Sequence, residues 1–429
     1  MLTNTRTALF ATLALLCLAA CAAAQSGTYS QMSWYPISNP SAFPEGITAG
    51  PDGALWFTES GCYSGTCYIG RSTTAGVITG YTLPTLNAGP TSITTGPDGA
   101  LWFTEAIGQI GRITTAGAVT EYPVPTGNSG PRGITTGPDG ALWFTEADAS
   151  QVGRITTDGV VTEYPVGTPF DLYLEYITAG PEDSLWFTWT TYGEAGAARI
   201  TTAGVVTMYQ IPASYGPFGG AGEIIEGPDH ALWLADLAGN IWRMTPAGAF
   251  TQYPIPIVPS GGGTGNIANG PDGAMWFTVT CNPCANDQIG RITTAGVITE
   301  FPAPGDGSLG GIAAGPDGAL WSTDTGFVLS IKSGLFRTPA CALGLSASSS
   351  GTGLAMNFNL GTATPAIWNV ALWNTTAINQ SIPAVAPPRA FTLDWHQAPA
   401  DTNVLVKSEL SDSTGQVMCA EWTTVSTAQ

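Results

Sequence analysis

Seven tryptophans recur along this chain at almost even intervals. Trp56, Trp102, Trp143, Trp186, Trp233, Trp276 and Trp321 stand 46, 41, 43, 47, 43 and 45 residues apart. Such a period marks a fold assembled from repeated supersecondary units. The unit is clearest as Gly133-Ile134-Thr135-Thr136-Gly137-Pro138-Asp139-Gly140-Ala141-Leu142-Trp143-Phe144-Thr145-Glu146, then Val152-Gly153-Arg154-Ile155, then Val161-Thr162-Glu163-Tyr164-Pro165. Its short runs of Thr, Ile, Val and aromatics suit strands, and the Pro-Asp-Gly and Thr-Ala-Gly steps between them are hairpin turns. Four strands per unit in seven units predict an all-β chain with a seven-bladed β-propeller over residues 32–338.

The ring closure is also written in the sequence. Tyr81, Tyr122, Tyr164, Tyr209, Tyr253 and Phe301 mark six fourth strands for seven tryptophans. The seventh is expected at the other end of the propeller, where Trp34-Tyr35-Pro36-Ile37 precedes the first unit and would pair the two free edges. Leu335-Phe336-Arg337-Thr338-Pro339 competes for that place. Beyond it the repeat stops. Alternating segments across residues 341–429 predict a small C-terminal β-sandwich, Ig-like by analogy.

Composition narrows the function. Lys and Arg number 12 against 31 Asp and Glu, a formal charge of -19, which excludes a nucleic-acid coat. The 14 Trp, 13 Tyr and 15 Phe argue against disorder. Residues 1–24 read as a signal peptide, with Arg6 followed by an apolar run from Ala8 to Ala20. Leu18-Ala19-Ala20-Cys21 matches a bacterial lipobox with Cys21 as the lipidated residue, and ordinary cleavage after Ala24 is the alternative. Either route predicts an extracytoplasmic protein, a lipoprotein on the cell envelope or a secreted one. It would be a monomer that touches membrane only through a lipid anchor. Export suits three local disulfides, Cys62 with Cys67, Cys281 with Cys284 and Cys341 with Cys419. Zinc is disfavoured at Cys281 and Cys284, because the only histidines are His230 and His396.

Gly-Pro-Asp-Gly-Ala-Leu-Trp-Phe-Thr-Glu, with Ile-Gly-Arg-Ile-Thr and Thr-Glu-Tyr-Pro, resembles the streptogramin lyases across roughly residues 32–338. The resemblance implies a seven-bladed propeller. It also implies an enzyme that linearises a cyclic depsipeptide by elimination, with magnesium, a histidine base and nearby glutamates. The family's histidines fall just before the first strand of the last two blades. The corresponding slots here, from blade one to seven, hold Glu45, Thr91, Arg132, Glu175, Gly222, Gly265 and Gly310. Glycine can neither take a proton nor hold a metal. His230 sits instead in a turn at the opposite end of its blade, and Asp324 is the neighbour of the family's last glutamate position. The expectation is therefore a non-catalytic binding protein, with a lyase or carbohydrate-active enzyme using substituted residues as the alternative.

Antiparallel pairing puts the start of strand one and the end of strand two at the same end of each blade. That end carries the slot residues together with Glu59, Glu105, Glu146, Trp189 and Asp324. One reading is a carboxylate-lined site for a small molecule, glycan or protein ligand, with Glu45, Arg132 and Glu175 beside Glu59, Glu105 and Glu146, the last three able to hold magnesium or calcium. The other is that Thr-Glu is repeat consensus, solvated or paired between blades. Blades four and five add Phe170, Tyr173, Tyr176, Tyr192, Tyr215 and Phe218, which suit either sugar stacking or packing beneath loops. The arginines Arg71, Arg112, Arg154, Arg199, Arg243 and Arg291 recur once per blade and are expected to pair with turn carboxylates such as Asp52, Asp98 and Asp139.

Overall fold

The computed structural model describes residues 31–332 apart from 40–41, 169–170, 213–219, 257–262, 281–286 and 304–307, together with seven strands beyond residue 345. The first part is a ring of seven four-stranded antiparallel sheets, and the described residues contain no helix. Blade three shows the plan, with strands Pro131–Thr136, Leu142–Glu146, Gln151–Ile155 and Val161–Pro165 side by side in that order.

The repeat motif explains the blade. Its tryptophan is fully buried and packs against the next blade, as Trp143 does against Leu174, Ile177 and Leu185. The indole N–H still needs an acceptor. Trp143 Nε1 donates to Asp139 Oδ1 at 2.9 Å, and Arg154 Nε donates to Asp139 Oδ2 at 2.6 Å. Tyr164 of the fourth strand stacks on Trp143 with ring centroids 5.3 Å apart. The same aspartate bridge recurs at Asp52, Asp98, Asp229 and Asp272. Burial alone would raise these carboxyls, but the indole and guanidinium hydrogen bonds outweigh it and hold all five below their ordinary pKa. Blade four departs from the plan. Its Arg199 pairs with Glu182 and bonds Ser184 Oγ, and Trp186 donates to the Pro181 carbonyl.

Strand Gln31–Pro36 closes the ring as the outermost strand of blade seven, next to Phe327–Lys332. Tyr35 takes the place of the fourth-strand tyrosine and stacks on Trp321 at 5.6 Å. The competing segment 335–339 lies outside the described residues, as do residues 1–24 with Cys21.

A disulfide joins Cys62 to Cys67. Cys281, Cys284, Cys341, the Cys419 side chain and His396 lie outside the described residues. The C-terminal part forms two antiparallel sheets. One holds Ser346–Ser350, Gly353–Asn357 and Ala390–Leu393; the other holds Ile378–Pro383, Ile367–Trp373, Asn403–Ser411 and Val417–Ser426.

Candidate functional site

The innermost strand of each blade builds the site, and in six blades that strand carries a bulge. In blade three Pro131 faces Glu146 while Ile134 faces Phe144, so Arg132 and Gly133 together oppose one residue, Thr145. Equivalent slips fall at Glu45-Gly46, Thr91-Ser92, Glu175-Tyr176, Gly222-Glu223 and Gly265-Asn266. A bulge re-aims side chains that strict alternation would send to opposite faces. Here it offers two positions per blade to the propeller axis instead of one.

The bulges surround a cavity of about 210 Å³ to which all seven blades contribute. Its acids are Glu45, Glu175 and Glu223, and its base is Arg132. Tyr176, Asn266 and Thr91 add polar groups, and Ile47, Ile93 and Ile312 add apolar wall. Of the residues expected from the sequence, the cavity thus gathers Glu45, Arg132 and Glu175. Tyr176, one of the aromatics of blades four and five, also lines it, whereas sequence reasoning missed Glu223 and Asn266. The signal was present in the order of two residues: Arg132-Gly133 becomes Gly222-Glu223 and Gly265-Asn266, so the polar side chain moves one place along the bulge.

Glu59, Glu105 and Glu146 do not line the cavity. They are 2%, 0% and 0% exposed, with Glu105 and Glu146 at the ends of their second strands and Glu59 within the longer strand Leu55–Tyr63. Burial pushes Glu59 up to about 7, against a lowering hydrogen bond from Asn39. Burial pushes Glu105 to about 8, and the neighbouring Glu121 adds to the rise. Burial takes Glu146 to about 7, with Ser129 lowering it and Glu163 raising it. They are neither solvated nor gathered on an open face. Among the described residues no three His, Cys, Asp or Glu side chains are placed to hold an ion.

Trp189 is 6% exposed and donates to the Ala197 carbonyl at 3.2 Å, so it is core. Asp324 is 3% exposed and accepts from the Thr325 N–H at 2.7 Å. Tyr173 accepts from Arg132 Nη2 at 2.6 Å, and its ring lies 5.5 Å from the guanidinium carbon. Tyr192 is exposed, whereas Phe170, Tyr215 and Phe218 lie outside the described residues. His230, at φ 56°, occupies the turn glycine's place at the far end of blade five and bonds Glu226 at 2.8 Å.

The buried threonine of each Trp-Phe-Thr run holds the cavity wall in position. Thr145 Oγ1 accepts from the Gly133 N–H at 2.9 Å and donates to the Glu175 carbonyl of the next blade at 2.7 Å. Thr58 reaches the Thr91 carbonyl, and Thr323 reaches that of Glu45, carrying the stitch across the closure. Gly133 permits this approach, because a Cβ there would lie 2.6 Å from the Glu175 carbonyl oxygen. Thr145→Val should keep the shape but leave a buried N–H and C=O unpaired, costing about 1–3 kcal/mol in denaturant unfolding. An unchanged midpoint would show the stitch to be dispensable.

In the cavity, burial raises the Glu45, Glu175 and Glu223 carboxyls. Glu223 reaches about 7, although its Oε2 accepts the Ile267 N–H at 2.8 Å. Arg132 counteracts the rise at Glu45 and Glu175.

A family model described as the virginiamycin B lyase family matches residues 23–172 and 169–328. Selenomethionine-substituted virginiamycin B lyase from Staphylococcus aureus is 33% identical, with 70% of this chain and 98% of that one covered and a TM-score of 0.61. A streptogramin B lyase structure is 30% identical, with 70% and 97% covered and a TM-score of 0.61. An extracellular domain assigned to a hybrid two component system of B. thetaiotaomicron shares the fold alone, at 14% identity, 93% and 56% coverage and a TM-score of 0.55. No curated protein matches the chain at a significant level. The family model and two lyase structures, each matched over nearly its whole length, agree with the blade motif: this chain belongs to the virginiamycin B lyase family.

Proposed function

We propose that this family member is an exported, non-catalytic protein that binds a ligand in its central cavity. One observation carries the reading. The cavity lining presents Glu45, Glu175, Glu223, Arg132, Tyr176 and Asn266, and no histidine is among its residues. The matched relatives are named as lyases, and the resemblance assigns their proton abstraction to a histidine base. In this chain the bulges of blades five and six place Glu223 and Asn266 on the wall, with Gly310 in blade seven. A binding role needs only the cavity and its polar groups, all of which are present. Export follows from the signal-peptide pattern of residues 1–24, with Cys21 as lipid anchor or cleavage after Ala24.

The test is incubation of the full chain with quinupristin and magnesium, followed by chromatography, because elimination opens the ring without changing the mass. The expected result is intact antibiotic after a day at stoichiometric protein. Accumulation of linear product would make the chain a lyase and overturn the reading.

A further inference from the structure

The occupant of the cavity can be assigned a chemical class, an assignment that rests on the binding role proposed above. Three carboxyls from blades one, four and five face one space with a single cation among them. Glu175, Glu223 and Glu45 all raise the Tyr176 phenol, after burial itself, so the four groups share one electrostatic environment. The guanidinium that balances them is already engaged, with Arg132 donating to Tyr173 Oη at 2.6 Å and lying against its ring. Glu223 receives one backbone N–H, from Ile267, and among the described residues no side-chain donor reaches it. Asn266 spends its amide N–H on the Gly310 carbonyl at 3.0 Å, leaving an acceptor oxygen. The wall therefore carries three carboxyls against one guanidinium and is short of positive charge. Its remaining surface is apolar, from Ile47, Ile93, Ile312 and the Tyr176 ring.

The hairpins at this end of the propeller add apolar side chains. Ile107 is 44% exposed and Leu237 45%, both in the turn after strand two, and Phe43, just before strand one of blade one, is 57% exposed. An inorganic ion leaves such a surface unused, and an anion meets an excess of carboxylate. We propose that the cavity binds an organic amine, its ammonium group placed among Glu45, Glu175 and Glu223 and its apolar body against Ile47, Ile93 and Ile312. An ammonium supplies the missing charge with N–H groups that the carboxyls can accept, and the face of Tyr176 adds a cation–π surface. Because the carboxyls bind protons more readily than free ones, entry of the cation expels protons, so affinity rises with pH up to about 7.

Calorimetric titration of the full chain with benzylammonium, benzyl alcohol and benzoate at pH 6 and pH 7.5 tests the assignment. The amine should bind at least about tenfold more tightly than the alcohol. Its heat should depend on buffer ionisation in the sense of proton release. Glu223→Gln keeps an acceptor for the Ile267 N–H and should weaken the amine about tenfold, while Glu105→Gln, outside the cavity, leaves it unchanged. Unfolding midpoints of both variants check that they fold. Alcohol or benzoate binding as tightly as the amine, and still dependent on Glu223, overturns the amine class and leaves the cavity as the binding site. No Glu223-dependent binding by any of the three probes overturns both.

Discussion

Replacing Glu105 and Glu146 together by glutamine should raise the thermal midpoint at pH 8 by several degrees and leave it little changed near pH 5. Both side chains are 0% exposed, and burial lifts their pKa values to about 8 and about 7. In the unfolded chain each would titrate at about 4.3. Between those values the folded protein binds more protons than the unfolded one, so stability is full in acid and falls as pH rises through 7 and 8. Glutamine matches the neutral acid closely in shape, adds one N–H donor, and removes the cost of ionisation, which is on the order of 1 kcal/mol or more per site. The bridging aspartates act in the other direction. Asp52, Asp98, Asp139, Asp229 and Asp272 have lowered pKa values, so their stabilisation holds above about pH 4 and is lost as pH falls through the folded values. The wild-type chain should therefore be most stable in weak acid. Destabilisation of the double variant by the same amount at pH 5 and pH 8 would show that the two glutamates work as ions.

Removing residues 31–37 should have the larger consequence. Strand Gln31–Pro36 is the outermost strand of blade seven, and Tyr35 covers Trp321. Without it Phe327–Lys332 becomes an open edge, with unpaired backbone groups free to recruit another chain. The expected outcome is a chain that forms higher oligomers in size-exclusion chromatography and loses most of its cooperative unfolding transition. A monomer with an unchanged midpoint would mean that the ring holds without its closing strand.

The blade count and the closure are legible because they depend on properties that repeat. Trp143, Asp139, Arg154, Tyr164 and the turn glycines make one set of contacts within the unit, copied in blade after blade. Their period survives blade four, where Glu182 and Ser184 replace the bridging aspartate at Arg199. The site is legible only in part. Glu45, Arg132 and Glu175 stand at one repeat position and reach the cavity as that position predicts. Glu223 and Asn266 stand one place later, and only the two-against-one pairing of a bulge brings both places to the axis. Glu59, Glu105 and Glu146 mislead for the complementary reason. Sequence order places them at the right end of the blade, but groups of their own blade, Glu121 beside Glu105 and Ser129 and Glu163 beside Glu146, enclose them there. A charged residue type near the end of a strand does not by itself reveal whether it is buried.

Crystals of the full chain grown with benzylammonium test most directly whether the central cavity is the ligand site. The ammonium is predicted to lie among Glu45, Glu175 and Glu223, with the aromatic body toward Ile47 and Ile93. Ligand bound only in the depression around Glu226, Pro228 and His230 at the opposite end, with the cavity holding solvent alone, would contradict the account.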